Sequence, residues 1–203
     1  MRWQAILVLA LAVPLTAEPL DRIAVTLGRY VIAESDVVRN LHCAAFIDDR
    51  AVDLSGAQKR EAAGRLVDEY LILQDAATSR ATLPDAAAAE PLLTPIRARF
   101  SSDTAFHAAL EYAQITENDL REHLLSGLRL LHYTETRFRP EVQVSDDDLR
   151  AAYSKLKSGK TFEAVRPQLE QLLTGQRTLE ALDNWLVMAR QEARIIYRNA
   201  VFS

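Results

Sequence analysis

The chain has 203 residues, 49% of them hydrophobic and 26% charged, with 6 Gly, 7 Pro and 4 His. That balance excludes a collagen-like or largely disordered chain and allows one domain, or one domain with appendages. The formal charge of -4 leaves no basic excess for general binding to nucleic acid or anionic membrane, and the single cysteine, Cys43, excludes an internal disulfide framework and a multi-cysteine zinc site.

Six glycines argue against an all-β chain built on tight turns, so a mostly helical protein is expected. Residues 1–17 have the layout of a cleaved signal peptide. Arg2 gives a short positive region, residues 5–13 are unbroken apolar, and Pro14-Leu15-Thr16-Ala17 supplies a breaker and a small residue before a cut. The apolar run is short of the roughly 20 residues that span a bilayer. No cysteine follows it to carry a lipid, and no later segment is apolar enough to cross a membrane. The expectation is a periplasmic protein with no stable membrane insertion.

Residues 23–27 and Tyr30-Val31-Ile32 favour strands, with Gly28-Arg29 between them as a two-residue hairpin connection. A lone hairpin is marginal in water, so a third strand is required. Ile195-Ile196-Tyr197 is the best candidate, which makes both chain ends part of one small sheet.

From Glu34 the period becomes helical. Val37, Val38, Leu41, Ala44, Ala45 and Ile47 fall on one side. Ser55 caps the next helix, whose stripe is Ala62, Leu66, Tyr70 and Leu73, widened by Val67 and Leu71. Residues 81–91, with Pro84, an alanine run and Pro91, read as a loop or frayed helix. Leu92, Leu93, Ile96 and Phe100 mark a short amphipathic helix, and Phe106, Ala109 and Leu110 continue the pattern after Ser101-Ser102.

Thr116 and Asp119 form a capping box that opens a long helix over about 117–138, lined by Leu120, Leu124, Leu128, Leu131 and Phe138 and ended by Arg139-Pro140. Ser145 to Asp148 repeats the box, and its aspartates suit the positive end of a helix dipole better than a metal, which needs further ligands nearby. Residues 157–160 read as a flexible joint. Thr161 then caps a helix to about Ala193, with Val165, Leu169, Leu172, Leu179, Leu182, Trp185, Leu186 and Ala189 facing inward. Pro167 is expected to kink its start, and Gly175 is a weak point.

The order of these segments resembles the SurA-type periplasmic chaperones. Asp21-Arg22-Ile23-Ala24-Val25, the hairpin and residues 31–37 are similar to the family's opening. The resemblance continues through residues 65–74, then Phe106 and Tyr112, residues 116–124, and Arg137-Phe138-Arg139-Pro140 with Val142 and residues 144–149. Tyr153, residues 162–166 and the last helix and strand complete it. It implies a helical SurA N-terminal-like domain over 18–156, completed by 161–203, with a small antiparallel sheet. Two departures stand out. Ala33 takes the place of the family's usual helix-capping Thr, which forgoes roughly 1 kcal/mol and leaves that helix start prone to shift or fray. The parvulin prolyl-isomerase module, on the order of a hundred residues in size, is missing, with only 157–160 in its place.

No catalytic constellation emerges. His42, His107, His123 and His132 have no metal-ligand spacing, and His123-Leu124-Leu125 reads as an ordinary helix face rather than the opening of a parvulin module. Cys43 beside His42 reads as structural, because adjacent helical residues do not face each other. Glu61, Asp68, Glu69 and Asp75 read as a solvated helix face. No cofactor, metal or catalytic group is called for, and no enzyme activity is expected.

The resemblance implies an ATP-independent holdase that binds unfolded secreted or outer-membrane polypeptides. Such a protein needs an exposed apolar groove. The candidate wall is Leu92, Leu93, Ile96, Phe100, Phe106, Tyr112 and Ile115; the other reading of these residues is plain core. The alternative function is an assembly or docking module for one fixed envelope partner, or for itself as a homodimer by exchange of the long last helix.

Overall fold

The computed structural model describes residues 21–156, 159–198 and 202. The expected leader, 1–17, and positions 157–158 of the expected joint lie outside them. The architecture is mainly α with a small three-stranded antiparallel sheet, as the sequence predicts.

Strands β1 (Ile23–Leu27) and β2 (Tyr30–Ala33) pair with Leu27 opposite Tyr30, so Gly28-Arg29 makes the turn, and Gly28 has the positive φ of 59° that the turn requires. Strand β3 (Ile195–Tyr197) pairs antiparallel with the other edge of β1, giving the order β2-β1-β3. The ladder is extended by Gly28 N–H donating to Arg194 O (3.3 Å) and Arg198 N–H donating to Ala24 O (2.9 Å). As the middle strand, β1 has Ala24, Val25, Thr26 and Leu27 all buried.

Helix α1 (Glu34–Ile47) follows β2 directly. Ala33 has no side-chain oxygen, yet the helix start does not shift. The Asp36 carboxylate accepts from Ala33 N–H (2.9 Å), Arg22 O accepts from Glu34 N–H (2.7 Å), and Asp21 accepts from both the N–H (3.3 Å) and the hydroxyl of Ser35. The segment entering β1 thus supplies the oxygens that the missing cap does not. The interior face of α1 is Val37, Leu41, His42, Cys43 and Ala45, while Val38 and Ile47 are only half-buried.

Helix α2 (Gly56–Thr78) is capped by Ser55, whose Oγ accepts from Gln58 N–H (3.4 Å). Its buried residues are Ala62, Ala63, Val67, Leu71, Ile72 and Ala76, a face rotated from the expected stripe. The cause is that α2 has partners on several sides. Ala62, Ala63, Val67 and Leu71 meet the sheet and α1, while Ile72 and Ala76 pack with residues of the long helices described next. Tyr70, expected inside, is half-buried and stacks on Tyr30 of β2, with ring centroids 4.1 Å apart.

Residues 81–91 hold a 3-10 turn (Ala86–Ala89) that runs into α3 (Glu90–Arg97). Helix α4 (Asp103–Tyr112) is capped by Ser102, and α5 (Glu117–Arg137) opens with the expected box: Thr116 Oγ1 accepts from Asp119 N–H (3.1 Å) and Asp119 accepts from Thr116 N–H (2.8 Å). Helix α6 (Asp146–Lys155) repeats the box at Ser145 and Asp148 (3.2 and 2.9 Å).

Helix α7 (Phe162–Glu192) is 31 residues long and runs unbroken through Pro167 and Gly175. Pro167 is accommodated in the second turn, where the carbonyl it leaves without a donor belongs to exposed Glu163. Thr161 precedes the helix but its hydroxyl makes no cap bond. Leu172 and Leu179, expected inside, are exposed. The N-terminal half of α7 buries Val165 and Leu169 against Leu149 of α6, whereas Ala181, Leu182, Trp185 and Leu186 pack on Ile72, Ala76, Tyr133 and Phe138. Arg190 fixes the C-terminal half to α2 through two 2.6 Å bonds to Asp68 and one of 3.2 Å to Gly64 O.

The capping geometry makes a direct prediction. Ala33→Ser adds an acceptor for the Asp36 N–H and should raise unfolding stability by about 1 kcal/mol, read as a higher urea midpoint at unchanged slope. An unchanged midpoint would mean that the Asp21 contacts already satisfy that turn.

Candidate client-binding surface

The seven residues expected to wall a groove do not form one surface. Leu93, Ile96, Phe106 and Ile115 are buried, and with Cys43, Leu110 and Leu120 they make a closed core between α1, α3, α4 and α5. Phe100 is half-buried in an aromatic group, 5.8 Å from Phe46 and 5.5 Å from Phe106. Only Leu92 and Tyr112 are exposed, the latter at 93%. The reason is that α3 and α4 are too short to bury their faces alone and fold onto α1 and α5. Charged groups then close the rim. Arg97 lies over the Phe106 ring (5.2 Å) and pairs with Glu117 (2.6 Å), which also takes Arg121 (2.8 Å). These two guanidinium groups hold the Glu117 carboxyl below its ordinary range, against the opposing effect of desolvation.

The acidic residues of α2 are not a solvated face. Glu61 pairs with Arg65 on the surface, but Asp68 holds Arg190, Glu69 accepts from the Ser126 hydroxyl, and Asp75 accepts from Tyr133 O–H (2.5 Å). Burial pushes the Glu69 carboxyl up. Asn40 donates to His123 Nδ1 (3.4 Å) on the α1 side of α5, and burial pushes the His123 pKa down from 6.5. His123-Leu124-Leu125 is an α5 face with Leu125 in the interior. The sequence signal for these contacts was available: Asp68, Glu69 and Asp75 alternate with the buried Val67, Ile72 and Ala76. Cys43 is buried, and desolvation raises its thiol to about 12, so it stays protonated in the core. Among the described residues no group of three or more His, Cys, Asp or Glu could hold a metal ion, and no helix is long and apolar enough to cross a membrane.

The apolar surface left in water lies elsewhere, and sequence reasoning missed it. Leu131, expected inside, is 60% exposed on α5, while Leu172, Leu179, Val187 and Met188, 55–61% exposed, stand on α7. Beside the C-terminal half of that helix, α2 and α7 leave an open cleft of about 330 Å³. Leu71, Trp185 and Ala189 give it apolar walls, and Asp75 and Glu192 bring two carboxylates to it. Trp185 is held from behind by Phe138, at 5.9 Å.

No protein-family model matches this chain, and no curated protein matches it. The surface must therefore be judged on its own chemistry. A polypeptide could reach the α7 leucines and the cleft without any part of the fold opening, whereas the α3–α4 core offers it only Leu92 and Tyr112.

Two measurements check this assignment. Phe106→Ala should cost about 3–5 kcal/mol in urea unfolding, while Tyr112→Ala should stay within about 0.5 kcal/mol of the parent. For His123 the sign is set by its lowered pKa: the unfolded chain takes up a proton near 6.5, the folded chain only at lower pH. Stability is therefore lost as pH falls from about 6.5 toward the folded value. His123→Gln should flatten that part of the stability–pH curve.

Proposed function

We propose that this protein is an ATP-independent holdase chaperone of the periplasm, which binds unfolded secreted or outer-membrane polypeptides and keeps them from aggregating. The observation that carries the reading is the gathering of exposed apolar side chains on α7. Single exposed leucines are ordinary on protein surfaces; four large apolar side chains on one helix are a stronger signal of contact with other chains. A helix of 31 residues is about 46 Å long, so its contacts would be spread out, individually weak and additive. The order of motifs shared with SurA-type chaperones supports the same reading, and with only 157–160 where a parvulin module would stand, the proposal includes no isomerase step.

A second reading has one observation in its favour. Leu172 and Leu179 are seven residues apart, the spacing of a helix-pairing seam, which suits one fixed helical partner or a second copy. The two readings predict different behaviour in one experiment. A urea-unfolded outer-membrane protein is diluted into buffer with the purified chain, without ATP, and aggregation is followed by light scattering. The holdase reading expects dose-dependent suppression at near-stoichiometric ratios. It also expects the double variant Leu172→Asp, Leu179→Asp to lose at least about half of that suppression with unchanged helical circular dichroism, because both positions are exposed. No suppression by the folded chain, together with a concentration-dependent dimer that the double variant abolishes, would overturn it in favour of self-association.

A further inference from the structure

We propose that the cleft between α2 and α7 takes the basic side chain of an extended client segment, a lysine or arginine whose stem lies on Trp185 and whose head meets the Asp75 and Glu192 carboxylates. The inference rests on the holdase reading and names the chemistry that this surface selects.

Three observations carry it. The cleft joins an indole to two carboxylates across an apolar floor of Leu71 and Ala189. An apolar stem with a cationic head matches that lining, since lysine and arginine bury their methylenes while the charge seeks a carboxylate or an aromatic face. Next, neither carboxylate has a cation among the described residues. Asp75 receives only the Tyr133 hydroxyl, on Oδ2, and Glu192 makes no ion pair. Four carboxylates at helix contacts are matched by cations, Asp68 by Arg190, Glu117 by Arg97 and Arg121, Asp119 by Arg39 and Asp148 by Arg177, whereas half-buried Glu69 has only the Ser126 hydroxyl. Finally, the charge along α7 is lopsided. Its three arginines, Arg166, Arg177 and Arg190, are all neutralised by Asp146, Asp148 and Asp68. Its acids, Glu163, Glu170, Glu180, Asp183 and Glu192, form no ion pair with any described residue. The uncompensated charge of this helix is negative, which draws a basic segment toward α7 and the cleft beside it.

The test uses Trp185 as its own probe. The chain has two tryptophans; Trp3 lies in the expected leader, so Trp185 is the sole emitter of the processed protein, and Trp3→Phe makes it so in the full chain. Two blocked, extended peptides are titrated, identical except for a central lysine in one and norleucine in the other. The lysine peptide should perturb Trp185 emission and bind at least about tenfold more tightly than the norleucine peptide. Its binding should weaken several-fold between low salt and about 0.5 M salt, since the attraction is screened. Glu192→Gln, an exposed and nearly isosteric change, should remove most of the preference. Equal binding of the two peptides, a preference that survives Glu192→Gln, or no response of Trp185 to either would overturn the proposal. The light-scattering assay on the same preparations separates the two claims. Suppression without lysine preference rejects the cleft assignment and keeps the holdase; loss of both rejects the holdase as well.

Discussion

One strand constrains the rest of the molecule. β1 is paired on both edges, by β2 from the residues that follow it and by β3 from the far end of the chain, and it is buried from Ala24 to Leu27. A lone hairpin is marginal in water, and here a third strand and packing against α1 and α2 both support it. Recruiting β3 brings the last turns of α7 against α2, where the bidentate Arg190–Asp68 pair locks them. The C-terminal half of α7 is thereby fixed to the body, and its first half is left to reach α6. Both the exposed leucines and the cleft follow from that division.

The local parts of this fold were legible because their causes are local. Gly28 at a two-residue turn, Thr116 with Asp119, and Ser145 with Asp148 each declare themselves within four residues. What could not be read was which neighbour a helix face would meet. On α7 periodicity alone makes the apolar positions one continuous stripe. Leu169 and Leu182 are 13 residues apart, which at 100° per residue places them about 140° from each other around the helix. Leu169 packs with α6 and Leu182 packs with α2 and α5, so the helix changes its buried side midway. Leu172 and Leu179 lie where neither partner covers them. On α3 and α4 the apolar stripe is legible in the sequence, but its burial depends on α1 and α5, the first of which is far away in sequence.

The polar contacts inside the helical layer follow a related logic. Glu69 to Ser126, Asp75 to Tyr133 and Asn40 to His123 sit between helices whose remaining contacts are largely aliphatic. Apolar packing alone would allow α5 to slide by a turn against α1 and α2 at modest cost. A buried carboxylate or imidazole that loses its partner costs far more than a misplaced methyl group, so these pairs penalise a wrong register more than they add to stability. The same penalty explains why Asp75, although it borders the cleft, is held in place by Tyr133.

An exposed apolar helix face is a liability unless something keeps it from collapsing onto its own kind. Gln176 and Asp183 stand four residues after Leu172 and Leu179, beside them on the helix surface. Each leucine therefore presents an isolated apolar point with a polar neighbour rather than part of a continuous strip. Continuous strips favour tight, permanent pairing with one complementary helix. Isolated points favour many weak, reversible contacts, each of which a folding client can leave as its own core forms. That distinction weighs the holdase reading above a fixed dimer: the heptad interval runs on to Val165 and Leu186, but both pack within the chain, so only Leu172 and Leu179 stay exposed along that seam.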